Sequence, residues 1–143
     1  ALGSGRQRVF ASPEYLRARG EPARPADLEA HDVVAFTGRR DPTRWAFTAR
    51  GRKVAVSVTP RVAANSMTLV RDLACAGLGV TMLPDFVARD ALRRGELREV
   101  LGAWSAPRGV MYAVYPSDRH LAPRTRAFLD LAVEHFAAHP MGA

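Results

Sequence analysis

The sequence predicts an α/β domain with a mixed sheet flanked by helices. Three observations carry that expectation: a helix, reversal, strand and helix in close succession after Asn65, a β-hairpin pattern after Arg44, and short apolar runs bounded by turn residues. Asn65 or Ser66 can cap a helix in which Met67, Val70, Leu73 and Ala74 recur at helical spacing. Gly77 falls where a left-handed C-terminal residue is wanted, and Leu78 is placed to touch Leu73, as in a Schellman ending. Val80-Thr81-Met82-Leu83 lacks polar alternation, which predicts a strand covered on both faces, as in a parallel sheet; Pro84-Asp85 then opens the next helix. Ligands of such units usually sit where strand C-termini and helix N-termini face a crevice, and a purely structural unit is the competing reading.

The remaining elements follow in order. Gln7 to Ala11 predicts a short strand, and Ser12-Pro13-Glu14-Tyr15 a helix start, with Ser12 as cap, Pro13 at the first helical position and Gly20 as the stop. Pro25 to His31 predicts a short second helix, and Asp32 to Phe36 a buried strand. After the Asp41-Pro42 turn signal, Arg44 to Thr48 and Lys53 to Val58 alternate around Arg50-Gly51-Arg52, which predicts a hairpin and hence a mixed sheet. Arg61 to Ala64 is a short strand feeding the Ser66 helix; Phe86 to Arg93 is a helix ending at Gly95, and Leu97 to Leu101 a weak edge strand. Ala103 to Arg108 reads as a loop, Gly109 to Pro116 as a strand, and Pro116 to His120 as the approach to a last helix with Pro123 near its start. On that helix Thr125, Phe128, Leu129, Ala132 and Phe136 form one apolar stripe that must bury itself against something.

Composition narrows the function classes. The chain has 143 residues, 48% hydrophobic, enough for a real core in one domain or two small lobes. One cysteine, Cys75, excludes an internal disulfide and fits a reducing, cytoplasmic setting; no apolar run is long enough to span a bilayer. Of the 21 basic residues only Lys53 is a lysine, and the net charge of +7 is spread along the chain rather than gathered in the basic stripe of a nucleic-acid surface. The densest cluster, Arg39, Arg40, Arg44, Arg50, Arg52 and Lys53, reads as a solvated basic surface. His31, His120, His135 and His139 show no metal-ligand spacing beyond His135 and His139, an i, i+4 pair at a fraying helix end. There is no nucleophile elbow or phosphate loop, and Gly77-Leu78-Gly79 follows a helix rather than a strand, the wrong order for a dinucleotide fingerprint. Asp72, Asp85 and Asp90 are explained as cap or surface residues, so neither an enzyme nor a cofactor is expected.

The order of pieces is more specific than any one of them. The run from Arg8 to Leu16, the Pro25-Ala26-Asp27-Leu28 connector, Trp45-Ala46-Phe47 before Gly51, Asn65-Ser66 ahead of Ala76 to Pro84, Tyr112 to Pro116 and Leu121 to Asp130 together closely resemble the effector-binding domain of LysR-type transcriptional regulators. The resemblance covers almost the whole chain. It implies a two-lobed fold like that of periplasmic solute-binding proteins, an effector in the cleft, and strands crossing between lobes near Arg8 to Ala11 and Tyr112 to Tyr115. Residues 12–111 would form the second lobe, with 1–11 and 112–143 as crossing strands and a remnant of the first. Family members carry a winged helix-turn-helix, a linker helix and most of the first lobe ahead of this region, so the first lobe is expected to be largely missing here and DNA contact to lie outside these residues.

By the same resemblance the second-lobe wall of the cleft comprises Ser12, Pro13, Phe36, Thr37, Gly38, Asn65, Ser66, Met67, Gly79 and Val80. Free N–H groups and the positive dipole end at the Ser66 helix would suit a small anionic effector; the competing reading is that Asn65 and Ser66 only cap their helix. The expected partners are that effector, further copies of the chain in a dimer or tetramer, and DNA through the helix-turn-helix, with no membrane. With the first lobe absent, the stripe on Phe128, Leu129 and Phe136 is expected to pair with another copy or to pack in a different way. A lobe of a true solute-binding protein is the alternative function.

Overall fold

The computed structural model describes residues 1–115 and 121–140. In chain order the strands are β1 (Gly3–Gly5), β2 (Gln7–Ala11), β3 (Val33–Phe36), β4 (Arg44–Ala49), β5 (Arg52–Ser57), β6 (Pro60–Ala64), β7 (Thr81–Pro84), β8 (Arg98–Val100) and β9 (Gly109–Met111). The helices are α1 (Pro13–Arg19), α2 (Met67–Cys75), α3 (Asp85–Arg93) and α4 (Pro123–Ala138), and Pro25–Ala30 forms a 3₁₀ turn.

Strand direction positions everything else. β3 pairs in parallel with β6, and meets the start of the β7 segment through a parallel Val33–Val80 bridge. In that bridge Val34 N–H donates to the Val80 carbonyl and Val80 N–H to the Asp32 carbonyl, both at 2.9 Å. β2 lies between β7 and β8 and is antiparallel to both, Val9 facing Met82 on one side and Val100 on the other. The result is a continuous sheet in the order β6-β3-β7-β2-β8, with β2 alone reversed.

The sheet is therefore mixed, as expected, but not for the expected reason. The β4–β5 hairpin is a separate two-stranded sheet, and the reversed strand is β2. β7 is buried on both faces as its apolar run predicts, yet beyond Val80 its pairing is antiparallel, with β2. Burial on both faces reflects what packs above and below a strand, so it carries no information about the direction of the neighbour.

Side-chain alternation sends successive residues to opposite faces and so builds two cores. On one face Val9, Val33, Ala35, Val80, Met82 and Val100 pack with Leu28 and with Trp45, Phe47, Val56 and Val58 of the hairpin. On the other, Phe10, Val34 and Leu83 pack with Val70 and Ala74 of α2 and with Ala88 and Ala91 of α3. Each fully buried large side chain contributes roughly 1.5–3 kcal/mol, so this two-faced sheet is the stable body of the chain. α2 ends as its sequence predicts: Gly77 has φ of 83°, Leu78 N–H reaches the Leu73 carbonyl (3.2 Å) and Gly77 N–H the Ala74 carbonyl (3.0 Å), the paired bonds of a Schellman motif.

The ends of the chain depart from expectation. β1 was not expected from Gly3-Ser4-Gly5, and it pairs antiparallel with β9, Gly3 opposite Met111 and Gly5 opposite Gly109. The strand expected over Gly109 to Pro116 stops at Met111; Tyr112 is 63% and Val114 92% exposed, because no strand among the described residues lies beside them to accept their ladder bonds. The expected approach over Pro116 to His120 lies outside the described residues. α4 forms, but none of its residues is fully buried: Thr125, Leu129, Ala132 and Phe136 are half-buried, whereas Phe128 of the expected stripe is exposed, as are Leu131 and Val133. Leu129 and Val133 face a cavity of about 490 Å³ that Leu2, Ala113 and Tyr115 close on the other side.

Candidate ligand-binding edge

Because β3, β6, β7 and β8 run the same way, their C-termini share one edge of the sheet, and the N-terminus of β2 shares it too. Phe36, Thr37 and Gly38 leave β3 there, Asn65, Ser66 and Met67 leave β6, and Pro84 leads from β7 into α3. Six of the ten sequence-predicted residues are thereby brought together. Phe36 opposes Ala64 in register, and Thr37 N–H donates to the Ala64 carbonyl at 2.9 Å, which ties the two exits side by side. Asn65, Ser66, Thr37 and Gly38 are exposed; Phe36 and Met67 are half-buried and pack against the α2 side of the core. Gly38 is there for space, since a Cβ would sit 2.3 Å from the Phe36 ring.

The other four residues lie at the opposite edge. Val80 bridges to Val33, the first residue of β3, while Phe36 is its last; three residues of strand put these ends about 10 Å apart. Gly79 and Val80 are buried, and the Gly79 Cα approaches the Asp32 backbone so closely that a Cβ would lie 2.4 Å from its carbonyl oxygen. Ser12, 2% exposed, accepts from Tyr15 N–H at 3.1 Å, with Pro13 half-buried beside it. The ten residues therefore do not line one pocket. For Ser12 and Pro13 the cause is the reversal of β2, which no local signal in the sequence reveals; Gly79 and Val80 lie there because they lead into β7 rather than leave it.

The electrostatics of the open edge favour negative charge. Ser66 Oγ accepts from Leu69 N–H at 3.3 Å and the Ser66 carbonyl from Val70 N–H at 3.0 Å, leaving the Met67 and Thr68 N–H groups without intrahelical acceptors at the positive end of α2. Arg39 follows Gly38, donates to Met82 Sδ at 2.9 Å, and faces no carboxylate among the described residues; burial pushes its guanidinium below its usual value. Sequence reasoning placed Arg39 in a solvated cluster. Its position directly after the Phe36-Thr37-Gly38 exit, where an outgoing strand returns its side chains over the sheet, is the signal that separates it from Arg40. On the far side of Met67 an apolar groove of about 280 Å³ runs between Pro84, Phe86 and the β1–β9 ribbon at Gly109, Val110 and Met111. No group of three metal-ligating side chains occurs among the described residues.

Comparison with known proteins agrees with this architecture. Residues 1–137 match the LysR substrate binding domain. The chain belongs to the LysR substrate-binding domain family. This LysR domain is 33% identical over 134 residues to the HTH-type transcriptional regulator PtxR of Pseudomonas aeruginosa, covering 94% of the chain and 43% of PtxR. It is 33% identical over 143 residues to the regulator CrgA of Neisseria meningitidis, covering 99% of the chain and 47% of CrgA. Among solved structures it superposes on the full-length Vibrio cholerae virulence activator AphB with a TM-score of 0.79 at 28% identity, covering 94% of this chain and 46% of that one. The CrgA regulatory domain gives a TM-score of 0.71 at 30% identity, with 93% and 66% coverage. PtxR and CrgA are transcriptional regulators, and the regulatory domains of the solved neighbours have the periplasmic-binding-protein-like fold. The LysR domain described here spans less than half the length of PtxR and CrgA. No helix among its described residues is long and apolar enough to cross a membrane.

Proposed function

We propose that this LysR domain is the effector-sensing part of a cytoplasmic DNA-binding transcriptional regulator, and that a small anionic metabolite binds at the strand C-termini. The observation that carries the reading is the open start of α2: an exposed Ser66 cap and two first-turn N–H groups without acceptors among the described residues, beside the Phe36-Thr37-Gly38 exit. Carboxylates and similar anions bind such helix starts through the backbone N–H groups and the dipole together. Arg39, half-buried and without a carboxylate partner among the described residues, adds a cation on the same edge.

In this reading the second lobe takes in β2 as well as residues 12–108, and the crossing between lobes runs through the β1–β9 ribbon rather than through Arg8 to Ala11, which lies inside the sheet. The first lobe would close over the edge from the far side of that ribbon. DNA contact belongs to a helix-turn-helix of the kind named in the relatives. Self-association into a dimer or tetramer is supported by the exposed Phe128, Leu131 and Val133 of α4. Calorimetric titration of the intact regulator with a panel of carboxylated metabolites, repeated with Ser66→Ala, tests the site. A loss of about tenfold, from one hydrogen bond to a charged group, is expected; unchanged affinity removes Ser66 from the site.

A further inference from the structure

Where the β1–β9 ribbon meets the body lies a second cavity, of about 330 Å³, lined by Arg6, Gln7, Arg8, Trp104, Ser105 and Arg108 among others. Three guanidinium groups border it. Arg8 is paired with Glu99 of the neighbouring strand, which neutralises one of them and holds it in place. Arg6 has no side-chain partner among the described residues, and the only one of Arg108 is the neutral Ser4 hydroxyl, at 3.4 Å. Two positive charges are thus left uncompensated on one small concave surface, which the half-buried Trp104 and Gln7 also line.

Where these arginines sit in the chain matters as much as their charge. Arg6 is the single residue between β1 and β2, and Arg108 is the residue before β9, so each stands where a strand of the ribbon meets the body. Gln7 reinforces the junction, since its amide fits against Gly109 so tightly that a Cβ there would lie 2.8 Å from Nε2. Trp104 and Arg8, by contrast, belong to the body: Trp104 packs against the hairpin-side core and Arg8 opposes Leu83 in the sheet.

We propose that this cavity is a second ligand site, for a small dianion such as a phosphate or a dicarboxylate, and that its occupant pins the ribbon to the body. Guanidinium forks match both oxyanion types, and a dianion neutralises the two uncompensated charges. The site is distinct from the α2 start and does not depend on the effector reading given above.

Titration of this chain with inorganic phosphate and with succinate, at constant ionic strength against a chloride control, tests the proposal. The expected result is saturable binding that Arg6→Gln and Arg108→Gln each weaken by about tenfold, from the loss of one charge-assisted contact. Arg52→Gln, on the exposed hairpin, should leave it unchanged; a loss in Ser66→Ala reports on the α2 start and not on this cavity. Bound ligand should also slow amide exchange across Gly3–Gly5 and Gly109–Met111, a change that scattered surface binding does not produce. Equal affinity in all four variants, or no saturable binding of either anion, overturns the site. Loss in Ser66→Ala alone would assign the anion to the α2 start instead. Arg6 and Arg108 are exposed, so their replacement should leave the melting temperature intact and keep the comparison interpretable.

Discussion

Ser12 and Ser66 cap helices in the same way, each accepting from the N–H three residues on, at 3.1 and 3.3 Å. Ser12 is sealed at the edge where the parallel strands begin, and Ser66 lies open at the edge where they end. The surroundings follow the same division. At the closed edge Tyr15 hydroxyl accepts from Asp32 N–H (3.0 Å) and pairs with His31 Nδ1 (2.9 Å), while Asp32 carboxylate accepts from Arg19 at 3.0 Å and Arg61 at 3.4 Å. Polar groups there satisfy one another. At the open edge the Met67 and Thr68 N–H groups lack such partners among the described residues, so one kind of capping residue serves stability at one end and availability at the other. The difference lies in strand direction rather than in residue type.

Gly79→Ala is the most severe way to break the closed edge. Its Cβ would fall 2.4 Å from the Asp32 carbonyl oxygen and 2.8 Å from the carbonyl carbon, backbone atoms that also hold the Val80 bridge. Relief requires separating β3 from β7, and an overpacking loss of about 3 kcal/mol is expected in chemical denaturation. A smaller loss, with Val80 still protected from amide exchange, would mean that the edge yields more easily than its packing implies.

The two caps provide the sharpest test. Ser12→Ala leaves the Tyr15 N–H buried without an acceptor and should cost about 2 kcal/mol, whereas at Ser66 water can replace the lost oxygen and the cost should be about 0.5–1 kcal/mol. Similar losses at both sites would remove the distinction between them. A third substitution works in the opposite sense. The Thr81 hydroxyl, at the start of β7, is fully buried with no hydrogen-bond partner among the described residues. Thr81→Val keeps the shape, removes the orphan group and should raise stability by about 1 kcal/mol in the same assay.

Much of the domain is legible locally because its signals are local. Ser12 and Pro13 start a helix, Gly77 ends one and Gly51 turns a hairpin through contacts a few residues apart, and each stands where expected. What could not be read is what depends on distant partners. β1 has no strand-forming side chains and exists because Met111 and its neighbours come alongside. Tyr112 to Val114 has the alternation of a strand, yet no strand among the described residues pairs with it. Six of the ten site residues share the open edge because local order brings β3 and β6 out together; Ser12 and Pro13 were grouped with them by family likeness across a reversal that only the pairing of β2 reveals, and Gly79 and Val80 although they lead into β7. The family itself was legible, since order along the chain survives where single motifs are weak.

The smallest expected effect is on pH dependence, again at the closed edge. His31 lies beside Tyr15, and burial, helped by nearby Arg19, pushes its imidazole below the ordinary value of 6.5 despite the opposing pull of Asp27 and Asp32. The folded state therefore holds His31 neutral, with Nδ1 free to accept from the Tyr15 hydroxyl, at pH values where the unfolded chain is already binding a proton. The unfolded state takes up more protons in that window, so stability rises with pH through it. This contribution is complete above about pH 6.5 and is lost as pH falls from there through the folded value. Denaturation midpoints measured between about pH 5 and pH 7.5 should decline on the acid side, and His31→Gln should flatten the decline while leaving the neutral-pH midpoint nearly unchanged. His135, on the exposed α4 and outside this network, is the control: if His135→Gln flattens the curve as much as His31→Gln, the acid sensitivity belongs to the helix rather than to the closed edge.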